Sequence, residues 1–317
     1  MRFVGLAATA LALATCDRRI EVQGNQPMTE TNGGSRATPT RSGYADVHGA
    51  RFYYEVHGDL NSKKTPLLVL HGSYMSAEAM APFVDRFATS RPVIAFDARG
   101  HGRTGDLPGS ITYGQMADDS AGVLEALKVS RADVLGYSMG GVTALTMAVR
   151  HPDRVGKQII VSGASRRNGW YPEVNEALQK ATPAAFAGSP LEAAYKRLSP
   201  TPNAFPVLVG KLRALDLSNY DLSDDAIRKF GDKTMIVAGD ADGVDLEHAI
   251  ELFKLRGGGD RKIAAQGFLP EAPRARLAIL PATSHVGIMA NADLIVTLAV
   301  PFLDDVKPPM PPGFFKE

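Results

Sequence analysis

Gly136-Tyr137-Ser138-Met139-Gly140 is the stretch of this chain best placed to make a serine reactive, because of what flanks it. Arg131-Ala132-Asp133-Val134-Leu135 precedes it, long enough for one buried strand, and a helix-forming run over residues 141–150 follows. A G-x-S-x-G pentapeptide between strand and helix reads as a nucleophile elbow. So tight a turn strains the serine backbone, and glycines must flank it to spare side-chain clashes. The Ser138 hydroxyl is thereby presented at the top of a sheet, at the positive end of the following helix.

A serine hydroxyl is a poor nucleophile until a base takes its proton. Histidine titrates near neutrality and can both accept that proton and return it to a leaving group. A carboxylate must then fix the imidazole tautomer and stabilise the imidazolium. The chain has seven histidines. His48 and His57 lie beside the first strands and read as solvated. His151, before Pro152, closes a helix and reads as a surface residue. His248 sits a few residues into a helix and reads as exposed and non-catalytic. His285 lies just past the last strand, on a loop able to fold back over Ser138, and is the expected base. For the acid, Asp240 and Asp242 both follow the strand ending at Ala238, with Asp245 a more distant third.

The elements that must position these groups can be read from the apolar pattern. From Tyr44 onward short apolar runs alternate with amphipathic ones, which predicts an α/β fold with a mostly parallel sheet covered on both faces. Residues 51–56 read as an early antiparallel strand. Residues 67–70, 92–96, 158–161, 234–238 and 277–280, with the elbow strand, read as the others. Their carboxyl ends carry Gly, Asp, His or Ser, where open α/β sheets place their chemistry. Between about 164 and 233 the rhythm breaks into an Ala- and Leu-rich, proline-punctuated stretch. The expectation is an α/β core over 44–163 and 234–305, a helical lid over 164–233 and a C-terminal tail over 306–317. Within the lid, Trp170 either lines a pocket or packs lid against body. Arg166 and Arg167 either meet an anionic substrate or form a solvated hinge. Asp97 is expected to hold the turn from Arg99 to Gly102, and Asp118 and Asp119 to face solvent from a helix.

The formal net charge is +1, with both signs interspersed, and no basic stripe suggests a nucleic-acid surface. A single cysteine excludes an internal disulfide framework and a cysteine-rich metal site. Met1-Arg2 gives a positive start, and residues 3–15 form an apolar and small run too short to span a bilayer, which fits a secretory leader over 1–16. Leu13-Ala14-Thr15-Cys16 resembles a bacterial lipobox, with Cys16 the lipidated residue and a membrane tether. Thr15 stands where Gly, Ala or Ser is usual, so simple secretion after Ala12-Leu13-Ala14 stays open. Residues 17–43 read as a disordered tether. The expected location is the periplasm or cell envelope, or the cytoplasm if translation starts at Met28.

Taken in order, His71-Gly72, Asp97-x-Arg99-Gly100-His101-Gly102, the elbow, Gly239-Asp240-Ala241-Asp242 and Ser284-His285 resemble the α/β-hydrolase superfamily over residues 44–305. The likeness is to its lid-bearing esterase, lactonase and perhydrolase-like members. The resemblance implies the chain order Ser, acid, His. It favours Asp242, the second aspartate of G-D-x-D, with Asp240 anchoring the loop, and gives His71 and His101 turn-shaping roles. It assigns the oxyanion donors to the backbone N–H groups of Ser73 and Met139, with Tyr74 the second choice after Ser73. The Gly-rich HGGG form of some lipases and esterases is absent, which argues against that branch. The implied activity is hydrolysis of a small-molecule carboxylic ester or lactone through an acyl-enzyme, a scheme requiring no metal or organic cofactor. Carbon–carbon hydrolysis, perhydrolysis, amide hydrolysis and lyase chemistry on a menaquinone-type intermediate keep the same triad. A non-catalytic binding protein on this fold is the rival from another class.

Overall fold

The apolar runs pair into one sheet in a computed structural model of the chain, which describes residues 36–310 and residue 313. The strands are β1 Arg41–Val47, β2 Ala50–His57, β3 Leu67–Leu70, β4 Val93–Phe96, β5 Ala132–Tyr137, β6 Val155–Val161, β7 Thr234–Ala241 and β8 Ala275–Ser284. Their order across the sheet is β1-β2-β4-β3-β5-β6-β7-β8. β1 and β2 are antiparallel, β2 runs antiparallel to β4, and all later pairs are parallel. β3, β4 and β5 are buried along their whole length, as parallel strands covered on both faces must be.

Helices α1 Ala81–Phe87, α2 Tyr113–Ala126 and α3 Met139–Arg150 belong to the first half of the chain. α4 Pro172–Gln179, α5 Pro190–Leu198, α6 Phe205–Leu217 and α7 Asp224–Arg228 fill the insertion between β6 and β7, and α8 Leu246–Leu255, α9 Arg261–Gln266 and α10 Ala292–Leu303 follow. One apolar layer packs α2, α3 and α8 on a face of the sheet through Leu124, Leu145 and Leu252. The opposite layer packs α1 and α10 through Phe83, Phe87, Ile295 and Phe302. A third cluster joins the insertion to the sheet's carboxyl end, bringing Trp170, Phe186, Phe205 and Leu212 onto Met139 and Val142. Among the described residues no helix is long and apolar enough to cross a membrane.

Two expectations need correction. The sheet starts at Arg41, not Tyr44, and Thr40 N–H already donates to Val56 O at 2.8 Å, so the end of the expected tether is part of the core. β1 carries Arg41, Ser42 and Asp46 on its exposed positions, which dilutes the apolar signal of an edge strand. His57 is buried, 2% exposed, where β2 pairs with β4, and not solvated. The expected leader, Cys16 and tether residues 17–35 lie outside the described residues, as do 311–312 and 314–317 of the tail.

Arg256, just past α8, closes the seam between the insertion and β7. It is 1% exposed and donates to Thr234 Oγ1 at 2.9 Å, to Ile227 O at 2.8 Å, to Phe230 O at 3.2 Å and to Asp232 O. Burial, with the charge of Arg274 next, pulls its guanidinium down to about 10. Replacing it leaves several buried acceptors without donors. Arg256→Met is expected to lose about 3 kcal/mol of stability, read as a shift in the urea unfolding midpoint at unchanged slope.

Candidate active site

β5 ends at Tyr137 and α3 starts at Met139, leaving Ser138 alone to make the turn. It does so at φ 55° and ψ −118°, a conformation that L-residues rarely adopt. Two glycines make this geometry available. A Cβ on Gly136 would overlap the Gly140 carbonyl, and one on Gly140 would overlap the Leu70 carbonyl. Ser138 N–H donates to Val161 O at 2.9 Å, and Ser138 O accepts from Gly141 at 2.8 Å as α3 begins.

His285 follows β8 directly, and two interactions aim its ring. Tyr137 Oη donates to His285 O at 2.9 Å, and the two rings stack with centroids 5.4 Å apart. His285 Nε2 lies 3.0 Å from Ser138 Oγ and Nδ1 lies 2.7 Å from Asp242 Oδ1. The short Nδ1 contact to a carboxylate places the proton on Nδ1 and leaves Nε2 as the acceptor for the serine proton. Asp242 is 6% exposed. Its Oδ1 also accepts from Gly243 N–H at 2.6 Å and Val244 N–H at 3.3 Å, and its Oδ2 from Gly239 N–H at 3.2 Å and from Ser162 Oγ. Burial alone would push this carboxyl up. The His285, Ser162 and Gly239 interactions outweigh it and hold the carboxyl below its ordinary value.

The other two aspartates of this loop do structural work. Asp240 accepts from Ala282 N–H at 2.9 Å and Thr283 N–H at 3.0 Å, tying the loop to β8. Asp245 caps α8 by accepting from Glu247 N–H at 2.8 Å.

Leu70 of β3 pairs with Gly136 of β5, so Ser73 and Met139 each lie three residues past a paired position. Among the described residues neither N–H has an acceptor; Met139 is in the first turn of α3, which has none within the helix. Tyr74 N–H is different, because it donates to His101 Nε2 at 3.2 Å. That removes Tyr74 as the alternative donor. His71 Nε2 accepts from Ala98 N–H at 3.0 Å while its Nδ1 donates to Gly72 O at 2.8 Å. His101 Nδ1 donates to Arg99 O at 2.9 Å. Burial pulls His71 down to about 4 and His101 down to about 3, so both stay neutral and hold turns. Asp97 holds the same region, accepting from Ala77 N–H at 2.7 Å and Arg103 N–H at 2.6 Å.

Around this centre the structure corrects two further expectations. His248 is not exposed: it is 5% accessible, and its Nε2 accepts from Ser165 N–H at 3.1 Å. Asp119 does not face solvent; it is buried in a two-bond pair with Arg99 at 2.6 and 2.9 Å. Trp170 sits edge-on to His285, centroids 5.5 Å apart, with its Nε1 donating to Tyr220 Oη at 2.8 Å. Arg166 pairs with Asp224 at 3.2 Å and Glu251 at 2.9 Å. Ser162 and Tyr137 were missed by sequence reasoning. Ser162 was findable, since it directly follows the apolar run 158–161 at a strand's carboxyl end. Among the described residues no three His, Cys, Asp or Glu side chains are grouped to hold a metal.

Residues 65–230 match the alpha/beta hydrolase fold family. RutD of Caulobacter vibrioides, provisionally named a carbamate hydrolase, is 36% identical over 115 residues, 36% of this chain and 43% of that protein. A 2-hydroxymuconate semialdehyde hydrolase of Pseudomonas sp. is 38% identical over 104 residues, 31% of this chain and 36% of that protein. The chain thus spans less than half the length of these curated relatives. In structure it is similar to a meta-cleavage product hydrolase from Pseudomonas fluorescens IP01, with TM-score 0.66 and 19% identity over 84% of this chain and 98% of that one. The enol-lactonase from Burkholderia xenovorans LB400 gives TM-score 0.61 and 21% identity over 83% and 100%. At these identities the two structures show the fold.

The lowered Asp242 carboxyl makes its stabilisation depend on pH with a fixed sign. Its contribution is complete above the unfolded-state value near 3.8 and is lost as pH falls through the lower folded-state value. Asp242→Asn is therefore expected to be less stable than wild type at pH 7, with the gap closing below pH about 4. Urea midpoints of both proteins from pH 7 to pH 3 measure it; a constant gap would show that the carboxylate charge contributes nothing.

Proposed function

The chain belongs to the alpha/beta hydrolase fold family, and from that premise we propose that it is a serine hydrolase of carboxylic esters or lactones. The observation that carries the reading is the relay of Asp242, His285 and Ser138 at 2.7 and 3.0 Å. Ser138 Oγ attacks the carbonyl carbon as its proton passes to His285 Nε2. The resulting oxyanion takes hydrogen bonds from the Ser73 and Met139 amides. Collapse breaks the carbon–oxygen bond to the leaving group, which leaves with the proton from His285. Water then gives its proton to His285, attacks the acyl carbon, and the carboxylic acid departs as Ser138 recovers its hydrogen. The residues need no metal or organic cofactor for these steps. The insertion between β6 and β7 serves as the lid, a role supported by the apolar cluster that seats it on Met139 and Val142.

A carbon–carbon hydrolase reading has one specific support, the relative named 2-hydroxymuconate semialdehyde hydrolase. It uses the same three side chains, and substrates decide between the two. Hydrolysis of p-nitrophenyl esters from two to twelve carbons is expected for the wild type. Ser138→Ala should lower kcat by at least about 10⁴-fold, and Asp242→Asn by about 10⁴-fold. Fluorophosphonate labelling without ester turnover would shift the reading to carbon–carbon chemistry, and neither labelling nor turnover would favour a binding protein.

The proposal extends to export, which rests on the Met1–Cys16 pattern alone. In a bacterial host, wild type is expected in the membrane fraction, and Cys16→Ser should release it from there.

A further inference from the structure

Hydrogen bonds hold the His285 ring along one line and leave its tilt open. Nδ1 is tied to Asp242 at 2.7 Å, while Nε2 faces Ser138 Oγ at 3.0 Å, a hydroxyl that can turn among staggered positions. A ring held mainly at one nitrogen can still swing about that contact. With 28% of the side chain exposed, packing does not close it in on every side. Two aromatic rings limit the swing. Tyr137 lies nearly parallel to the imidazole, at 29° and 5.4 Å between centroids, and Trp170 meets it at 71° and 5.5 Å.

The two rings differ in how they are fastened. Tyr137 is the last residue of β5 and is part of the sheet. Trp170 stands at the start of the insertion, where its backbone bridges Val244. Its indole Nε1 donates to Tyr220 Oη at 2.8 Å, and the Tyr220 ring meets Tyr113, the first residue of α2, edge to face at 4.7 Å. A Cβ on Gly243 would stand 3.8 Å from Trp170 Cε3, so the six-membered end of the indole lies over the loop that carries Asp242. Trp170 therefore touches the base and the acid's loop, with Tyr220 pinning it from behind. The residue is 9% exposed, and an indole N–H so enclosed has no ready substitute in water for the tyrosine oxygen.

We propose that Trp170, pinned by Tyr220, is a positioning residue for the base: it keeps the His285 imidazole in line between Asp242 and Ser138, so that Nε2 meets the serine proton. The proposal deepens the serine hydrolase reading and rests on it. Trp170 acts through His285 rather than on the substrate. Its removal therefore slows the proton transfer that all substrates share, and misplacing a reacting group by about 1 Å can cost on the order of a hundredfold. A residue that only lined an acyl pocket would act through binding instead, on KM and in proportion to chain length.

The test uses the full chain, p-nitrophenyl esters of short and medium acyl length, and diisopropyl fluorophosphate as a small probe of Ser138 activation. Trp170→Leu is expected to lower kcat by about tenfold to a hundredfold on every ester, with KM within about threefold, and to slow labelling by a similar factor. Trp170→Phe keeps a ring against His285 and should recover most of both rates. Tyr220→Phe removes only the hydrogen bond to the indole and should slow both by about fivefold. Trp170 is the only tryptophan of the chain, so its emission reports the pin directly, and Tyr220→Phe should raise its quenching by acrylamide. A loss confined to KM, or one that varies with acyl length while labelling is unchanged, would overturn the proposal and make Trp170 a pocket wall. A Trp170→Phe enzyme as slow as Trp170→Leu would overturn it as well. If Trp170→Leu does not fold, the Tyr220→Phe labelling rate decides, and a wild-type rate there overturns the proposal while leaving the hydrolase reading. Absence of labelling and of ester turnover in the wild type would remove the hydrolase reading and the positioning role with it.

Discussion

The close approach of α3 to the sheet at Gly136 and Gly140 sets the position of almost everything else in the site. With no side chain at either glycine, the first turn of α3 lies against the carbonyls of β3 and β5. The chain can then pass from strand to helix in the single residue Ser138, at a positive φ that costs about 1–3 kcal/mol. The cost is offset locally by the Ser138 amide bond to Val161 and by the burial of most of α3 between the sheet and α2. The same approach leaves the Met139 N–H unpaired beside the serine. Through the Leu70–Gly136 register it brings the loop after β3 alongside. Ser138 and the amides proposed to meet an oxyanion are thus brought together by one packing contact.

The second half of the site is held by buried hydrogen bonds, and here the polar groups account for one another. A carboxylate as enclosed as Asp242 must be given donors, and His285, Ser162, Gly239, Gly243 and Val244 provide them. Those donors come from the ends of β6, β7 and β8, so the carboxylate also clamps three strand ends. On the opposite side His71 and His101, both kept neutral by burial, use their ring nitrogens as turn clips. His101 occupies the Tyr74 amide, while the neighbouring Ser73 amide has no acceptor among the described residues, as the proposed oxyanion role requires.

The positions of the parallel strands were readable from the chain because fully covered strands are unbroken apolar runs, as in Leu67–Leu70 and Val93–Phe96; their order across the sheet was not. The elbow was readable because its glycines and serine are demanded locally. β1 was not, since an edge strand with Arg41, Ser42 and Asp46 outward has little apolar signal. The burial of His57, Asp119 and His248 was equally hidden. Each is covered by a partner distant in sequence, such as Arg99 for Asp119 and Ser165 for His248, and periodicity cannot see such a partner.

The start of the insertion is bound more tightly than a hinge reading of Arg166 and Arg167 suggests. Trp170 forms a β-bridge with Val244, Tyr171 N–H donates to Gly243 O at 3.1 Å, and Asp245 N–H donates to Gly169 O at 2.9 Å. The first turn of the insertion is therefore zipped to the loop that carries Asp242. Displacing Trp170 would pull on the same backbone that gives the carboxylate two of its donors, Gly243 and Val244. Beyond Tyr171 the anchoring thins in α4, which has no buried residue, and in α5, which buries only Tyr195, whereas α6 buries Phe205, Leu208, Val209, Leu212 and Leu215. Trp170 is thereby held to the backbone that positions Asp242, with its ring edge against His285.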